Sequence, residues 1–124
     1  MKAKKALAIH PMFHKAIENG ERQLTIREGK RDFVVGEAIV LYCSLTSWAI
    51  DAVITDVTHA NVMTVSAAHL ERYGVTGQRE LLQALRVHYP TIQFSTNVTV
   101  IEFMPDLPDH DKKLAAILKW KPCQ

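Results

Sequence analysis

The sequence predicts a single α+β domain, in which clustered strands form a small antiparallel or mixed barrel that carries helices. Three observations lead to this fold class. The chain has 124 residues, which is close to the commonest size of one domain. It contains no internal repeat, low-complexity tract or linker. Its predicted strands follow one another without the regular strand–helix alternation of a doubly wound sheet.

The first predicted elements are a short helix and a strand. Pro11 suits the first turn of a helix over residues 12–19, and Gly20 ends that helix. Leu24 and Ile26 then alternate with polar residues, which is the pattern of a strand with one buried face.

Three further strands are predicted. An unbroken apolar run over residues 38–42 is typical of a strand that is buried on both faces. Alternation from about residue 47 to residue 57 indicates a half-buried strand. Residues 97–103, which are rich in Val, Thr and Ile, predict the last strand.

Two helices are predicted between the strand over residues 47–57 and the strand over residues 97–103. Ser66 is a candidate N-cap for a helix that runs through Tyr73 and ends at Gly74. Thr76 could cap a second helix over residues 78–88. The domain core then covers about residues 8–104. The tail over residues 105–124 begins as a loop and could form a terminal helix over residues 109–119.

Positive charge is concentrated at the start of the chain. Residues 1–31 hold eight Lys or Arg against three Glu, a net charge of +5, whereas the whole chain carries only +2. Such asymmetry indicates an anionic partner, although the first lysines could equally form a solvated arm.

The segment from Gly20 to Arg27 is the strongest candidate site. In an extended strand Thr25 and Arg27 share one face, while Arg22 lies at the turn that precedes the strand. Two guanidinium groups around a hydroxyl can clamp a phosphate or carboxylate, because arginine offers bidentate donors. The alternative is an ordinary solvated strand edge whose arginines pair with neighbouring glutamates.

These residues resemble the ASCH domains, which are relatives of the PUA-like RNA-binding barrels. The resemblance covers about residues 8–104. It rests on the order Gly-x-Arg-x-x-Thr-x-Arg over residues 20–27, a Val-Gly-Glu-x-Ile turn over residues 35–39, the helical segment with His69, and the final strand ending Val-Ile-Glu-Phe. It implies a small PUA-like mixed β-barrel with flanking helices. It also implies a cleft, lined by the basic motif and approached by His69, that binds RNA, a nucleotide or a modified nucleoside.

The small bacterial branch of these domains includes amidohydrolases that deacetylate N4-acetylcytidine with a lysine, a threonine and a glutamate. By resemblance the lysine falls on Arg22, the threonine nucleophile on Thr25, and the glutamate between Glu71 and Glu80. Arginine is a poor base because it stays protonated. The departure at Arg22 therefore favours binding, with Arg22 as an oxyanion or substrate stabiliser if the chain is a hydrolase. A protein-interaction adaptor is a third class, because some ASCH domains occur in transcription coactivators.

The histidines and aromatic residues give weaker signals. His10 and His14 have the spacing of a helical metal pair, but Pro11 places His10 before the helix, so no metal site and no cofactor are predicted. Tyr42 and Trp48 could stack on a base. The alternating strand pattern around them favours core positions instead.

The remaining features bear on the compartment. The two cysteines are too few for a disulfide framework, and no apolar stretch reaches the ~18 residues of a membrane span. The basic and then apolar start is too short for an export signal. We therefore expect a cytoplasmic protein without membrane contact. The sequence leaves the oligomeric state open.

Overall fold

The computed structural model describes residues 5–106, and the predicted helix over residues 109–119 lies outside them. The described chain contains five strands and three α-helices, in an α+β arrangement. In chain order they are β1 (Lys5–Ala8), α1 (His14–Glu18), β2 (Leu24–Glu28), β3 (Ala38–Tyr42), β4 (Ala49–Asn61), α2 (Ala67–Tyr73), α3 (Gln78–Arg86) and β5 (Asn97–Pro105).

The strands form one mixed sheet in the hydrogen-bonded order β1-β3-β4-β5-β2. β1 runs parallel to β3, whereas β3 pairs antiparallel with β4 and β2 pairs antiparallel with β5. Within residues 5–106, no helix combines the length and the apolar composition that crossing a membrane requires.

The chain divides into two compact units. The first comprises residues 5–23, 35–55 and 103–106 of the described chain, and the second comprises residues 24–34 and 56–102. The long strands β4 and β5 each contribute residues to both units.

The first unit is built on the β1–β3–β4 pairing. Leu7 of β1 lies opposite Leu41 of β3, and Leu41 lies opposite Ile50 of β4. Leu7, Ile17 and Leu41 are almost completely buried. The prediction that β3 is buried on both faces is wrong, because burial alternates along the strand and Ala38 is exposed. An apolar run of five residues does not reveal that only one of its faces is fully covered.

The second unit packs α2 and α3 against β2 and β5. Leu24 and Ile26 of β2 share one core cluster with Leu70 of α2 and with Leu81 and Leu85 of α3. This confirms the predicted apolar face of β2.

Local capping signals fix the ends of α2. The Ser66 hydroxyl accepts a hydrogen bond from the backbone N–H of His69 at 3.2 Å, which satisfies one of the orphan donors of the first turn. Gly74 ends the helix in the left-handed conformation with φ 97°, which costs glycine little because it has no Cβ. Both ends agree with the prediction.

Other element ends differ from the prediction. Pro11–Phe13 forms a 3₁₀ turn before α1, and Gly77, not Thr76, is the N-cap of α3. Pro105 ends β5 instead of opening a loop. The strand β1 was not predicted, because its four residues carry no alternation and become a strand through their pairing with β3.

Truncation of Leu81, which is completely buried, is expected to destabilise the protein. Leu81→Ala should lower the free energy of unfolding by about 2–5 kcal/mol, because it removes apolar contacts and leaves a cavity. Gln83→Ala on the exposed face of the same helix should change it by less than about 0.5 kcal/mol. Urea unfolding followed by circular dichroism measures both, and equal losses would contradict the packing of α3.

Candidate functional site

Arg22 follows α1 in a tight backbone turn. Its N–H donates to the carbonyl of Ala16 at 3.2 Å, and the guanidinium carbon lies 3.9 Å from the ring centroid of Phe13. Both side chains are half-buried. A guanidinium over an aromatic face is attracted by the ring quadrupole. The contact therefore holds the planar cation of Arg22 in place next to an aromatic ring.

A second aromatic contact lies in the same unit. The rings of His14 and Trp48 are stacked with centroids 3.9 Å apart and an interplanar angle of 3°. The indole Nε1–H of Trp48 donates to the carboxylate of Glu18 at 2.9 Å. The prediction that Trp48 and Tyr42 are core residues is wrong, because both are half-buried. Trp48 precedes β4 and packs on α1, which strand alternation alone cannot reveal.

An open groove of about 640 Å³ runs along this stack. Its lining combines the aromatic rings with a cation, an anion and two hydroxyl side chains: Pro11, His14, Lys15, Glu18, Thr46, Ser47 and Trp48. Lys15 is exposed. Flat rings beside a flexible ammonium group can stack on a base and contact a phosphate.

The histidine pair considered at the start of α1 has structural contacts in this unit. His10 Nδ1 accepts a hydrogen bond from the backbone N–H of Met12 at 3.1 Å and so caps the 3₁₀ turn. His14 Nε2 lies 3.2 Å from the carbonyl oxygen of Ile9.

In the second unit, Thr25 and Arg27 lie on the same face of β2. The register places Thr25 opposite Ile101 and Arg27 opposite Thr99, and directly opposed residues share a face. Thr25 is 7% exposed, whereas Arg27 is half-buried. The sequence predicted that the two residues share a face but not that Thr25 is buried.

The two glutamates proposed as acid–base groups are both exposed on helices. Glu71 lies in α2, and Glu80 lies in the first turn of α3. The Glu80 carboxylate accepts a hydrogen bond from the Thr76 hydroxyl at 2.7 Å. An acidic group in the first turn also stabilises the helix, because it interacts favourably with the helix dipole. Their catalytic assignment remains a prediction.

Sequence reasoning missed Glu102, whose carboxylate is nearly buried. Its Oε2 lies 3.4 Å from Nε2 of His69, and its Oε1 accepts a hydrogen bond from Nη1 of Arg72. The register pairs Glu102 with Leu24, so Glu102 lies on the opposite face of the sheet from Thr25. The available signal was an acidic residue inside a mainly apolar strand. His69, predicted to approach a site, does have an acidic partner here.

A smaller pocket of about 280 Å³ lies in the second unit beside the loop that follows β2. Its polar lining includes Lys30, His59, Asn61 and Asn97. The buried hydroxyl of Thr99 fixes the start of this loop by two hydrogen bonds to its backbone. It donates to the carbonyl of Gly29 and accepts from the N–H of Arg31, each at 2.8 Å.

Comparison with known structures shows the ASCH fold. An ASCH domain from Lactobacillus crispatus superposes with a TM-score of 0.60 at 16% identity, over 82% of this chain and 79% of that chain. ASCH from Zymomonas mobilis gives a TM-score of 0.57 at 14% identity, over 91% of this chain and 92% of that chain. A DUF984 protein from Enterococcus faecalis gives 0.64 at 10% identity, over 85% and 81%.

No protein-family model and no curated protein matches the sequence. At these identities the likeness shows the fold. The chain therefore has the α+β, PUA-like ASCH fold, as the motif order of its sequence predicted.

Replacement of Thr99 by valine should destabilise the loop after β2. Thr99 is 0% exposed, so Thr99→Val removes a buried hydroxyl that bonds the backbone of Gly29 and Arg31 and is expected to cost about 1–3 kcal/mol of unfolding free energy. Thr99→Ser keeps the hydroxyl and should lose less. Urea unfolding of both variants tests this, and a valine variant as stable as the wild type would refute it.

Proposed function

We propose that this ASCH-fold protein binds RNA, a nucleotide or a modified nucleoside through the basic and aromatic surface of its first unit. Two features of this unit contribute to the proposed binding site, the Arg22–Phe13 contact and the groove beside His14, Lys15 and Trp48, and we call these five residues the Arg22 surface. The observation that carries the proposal is the guanidinium of Arg22 fixed 3.9 Å over the ring of Phe13.

The composition of the Arg22 surface matches the chemistry of an unpaired nucleotide. A base stacks on aromatic rings or on a guanidinium plane, and Phe13, His14 and Trp48 provide such rings. Arginine offers paired donors to a phosphate, while lysine supplies a flexible point charge. The surplus of positive charge over residues 1–31 favours approach of an anion.

An RNA partner is favoured over duplex DNA by the mixture of flat rings and few cations. Bases inside a duplex do not offer their faces for stacking, whereas single-stranded loops do. A duplex binder would depend mainly on many phosphate contacts. Lys15 and Arg22 provide two cations on the described surface.

Binding of a fluorescein-labelled single-stranded oligoribonucleotide should depend on both kinds of group. Arg22→Gln and Trp48→Leu are each expected to weaken binding by about tenfold, because one stacked base is worth about 1–3 kcal/mol. Arg79→Gln, which removes the same charge from the exposed face of α3, is the matched control. Fluorescence anisotropy measures the three dissociation constants. Equal losses in Arg22→Gln and Arg79→Gln, with no loss in Trp48→Leu, would reduce the effect to net charge and contradict the proposal.

The salt dependence of the same titration gives the number of RNA phosphates that the protein contacts. Two phosphate contacts on a single strand give a slope of about −1.4 for the logarithm of the association constant against the logarithm of salt concentration. Arg22→Gln should make the slope shallower by about 0.7. A slope unchanged by Arg22→Gln would show that the arginine does not contact a phosphate.

The alternative proposal is an amidohydrolase of the N4-acetylcytidine type with Thr25 as nucleophile. It is supported by the burial of Thr25 beside Arg27 on one face of β2, a position in which an activated hydroxyl is shielded from water. Activation requires a base that takes the hydroxyl proton, and arginine does not provide one. Glu71 and Glu80 are the acid–base candidates of this alternative, and both are exposed. Binding is therefore the first proposal.

Turnover of N4-acetylcytidine, followed by chromatography, separates the two proposals. A binding protein should leave the substrate intact in the wild type and in Thr25→Ala. Turnover by the wild type that disappears in Thr25→Ala but survives in Thr25→Ser would establish the hydrolase. Arg22→Lys restores the family's lysine, and activity gained in this variant would identify a hydrolytic scaffold that lacks its base.

A further inference from the structure

We propose that Asp56, His69 and Glu102 of the second unit bind a divalent transition-metal ion, with Zn²⁺ as the probe. A carboxylate oxygen or imidazole nitrogen from each residue lies within 4.8 Å of the others. Among the residues that the structure describes, this is the one group of three or more His, Cys, Asp or Glu with such spacing. The site uses no residue of the Arg22 surface.

Two of the donors already have the separation that a metal needs. His69 Nε2 and Glu102 Oε2 are 3.4 Å apart. Two ligands at about 2.0–2.1 Å from a tetrahedral zinc ion are separated by about 3.3 Å. The distance between these two atoms therefore matches that of two ligands of one ion.

The two inner ligands are held in place before any ion arrives. The side chains of His69 and Glu102 are 16% and 10% exposed. Arg72 donates to the other oxygen of Glu102 and so fixes the orientation of the carboxylate, as hydrogen-bond partners behind metal ligands do. Arg72 is accordingly a positioning residue, and Glu102 Oε2 remains directed at His69.

Asp56 supplies the third ligand from the solvent side. It lies on β4 and is exposed. Its carboxylate can therefore move closer to His69 and Glu102 at little cost in packing. The carboxylates of Asp56 and Glu102 outweigh the charge of Arg72 by one unit, and an imidazole binds a metal as a neutral ligand, so the set attracts a cation. Three protein ligands leave a coordination position for water or for an anionic oxygen.

The donor set favours a transition metal over magnesium. Imidazole is a good ligand for zinc and related ions, whereas Mg²⁺ prefers oxygen ligands and keeps most of its water. The same three residues could instead form a metal-free ion-pair cluster, which would show no preference among added ions.

The test is titration of the full chain, freed of metal with EDTA, with ZnCl₂, CoCl₂ and MgCl₂. Calorimetry should give one Zn²⁺ per chain and no response to Mg²⁺. Thermal unfolding should show a midpoint that rises with Zn²⁺, and Co²⁺ should give a visible absorption band. Asp56→Asn should weaken Zn²⁺ binding at least tenfold and leave the midpoint without metal unchanged. Asp51→Asn, an exposed aspartate earlier on β4, is the matched control and should bind like the wild type.

His69→Gln separates this site from adventitious binding. It retains a polar side chain but not the imidazole, and the Zn²⁺-dependent rise in midpoint should disappear. Zn²⁺ binding that survives both Asp56→Asn and His69→Gln would place the ion elsewhere and overturn the proposal. Absence of binding by the wild type would also overturn it and leave the cluster as an ion-pair network.

Discussion

The antiparallel pairing of β2 with β5 is the constraint on which the second unit depends. The register from Leu24↔Glu102 to Glu28↔Val98 decides which face each side chain occupies. It directs Leu24 and Ile26 into the core with the helices and places Thr25 and Arg27 on the other face. A shift of one residue would exchange these faces. The same register sets Glu102 on the helical side, where His69 and Arg72 reach it.

Features with a local physical cause could be predicted from the sequence. Ser66 and Gly74 mark both ends of α2 through a hydrogen bond and a left-handed residue, and alternation identifies the apolar face of β2. Features created by distant partners could not. β1 exists through its pairing with β3, and the stack of His14 on Trp48 joins two segments whose spacing along the chain carries no signal.

The candidate site could likewise be predicted where its geometry is local, but not where it depends on distant partners. Thr25 and Arg27 stand out because their two-residue spacing follows strand geometry, and the structure places them together on one face. Arg22 lies at the turn before this strand. Arg22 contacts the ring of Phe13. This contact depends on how the chain turns back after α1, which the residue spacing does not show. Such a contact suits arginine better than lysine, because a guanidinium stacks on an aromatic face and keeps its charge. The arginine at position 22 thus has a physical counterpart in the structure.

The most direct test of the proposed RNA-binding surface is an NMR titration of the ¹⁵N-labelled chain with a short single-stranded oligoribonucleotide. The indole Nε1–H signal of Trp48, assigned from its loss in Trp48→Phe, reports on the groove beside His14 and Glu18. We expect this signal and the backbone signals of Phe13 and Arg22 to shift together and saturate. Saturable shifts that leave all three unchanged would contradict it.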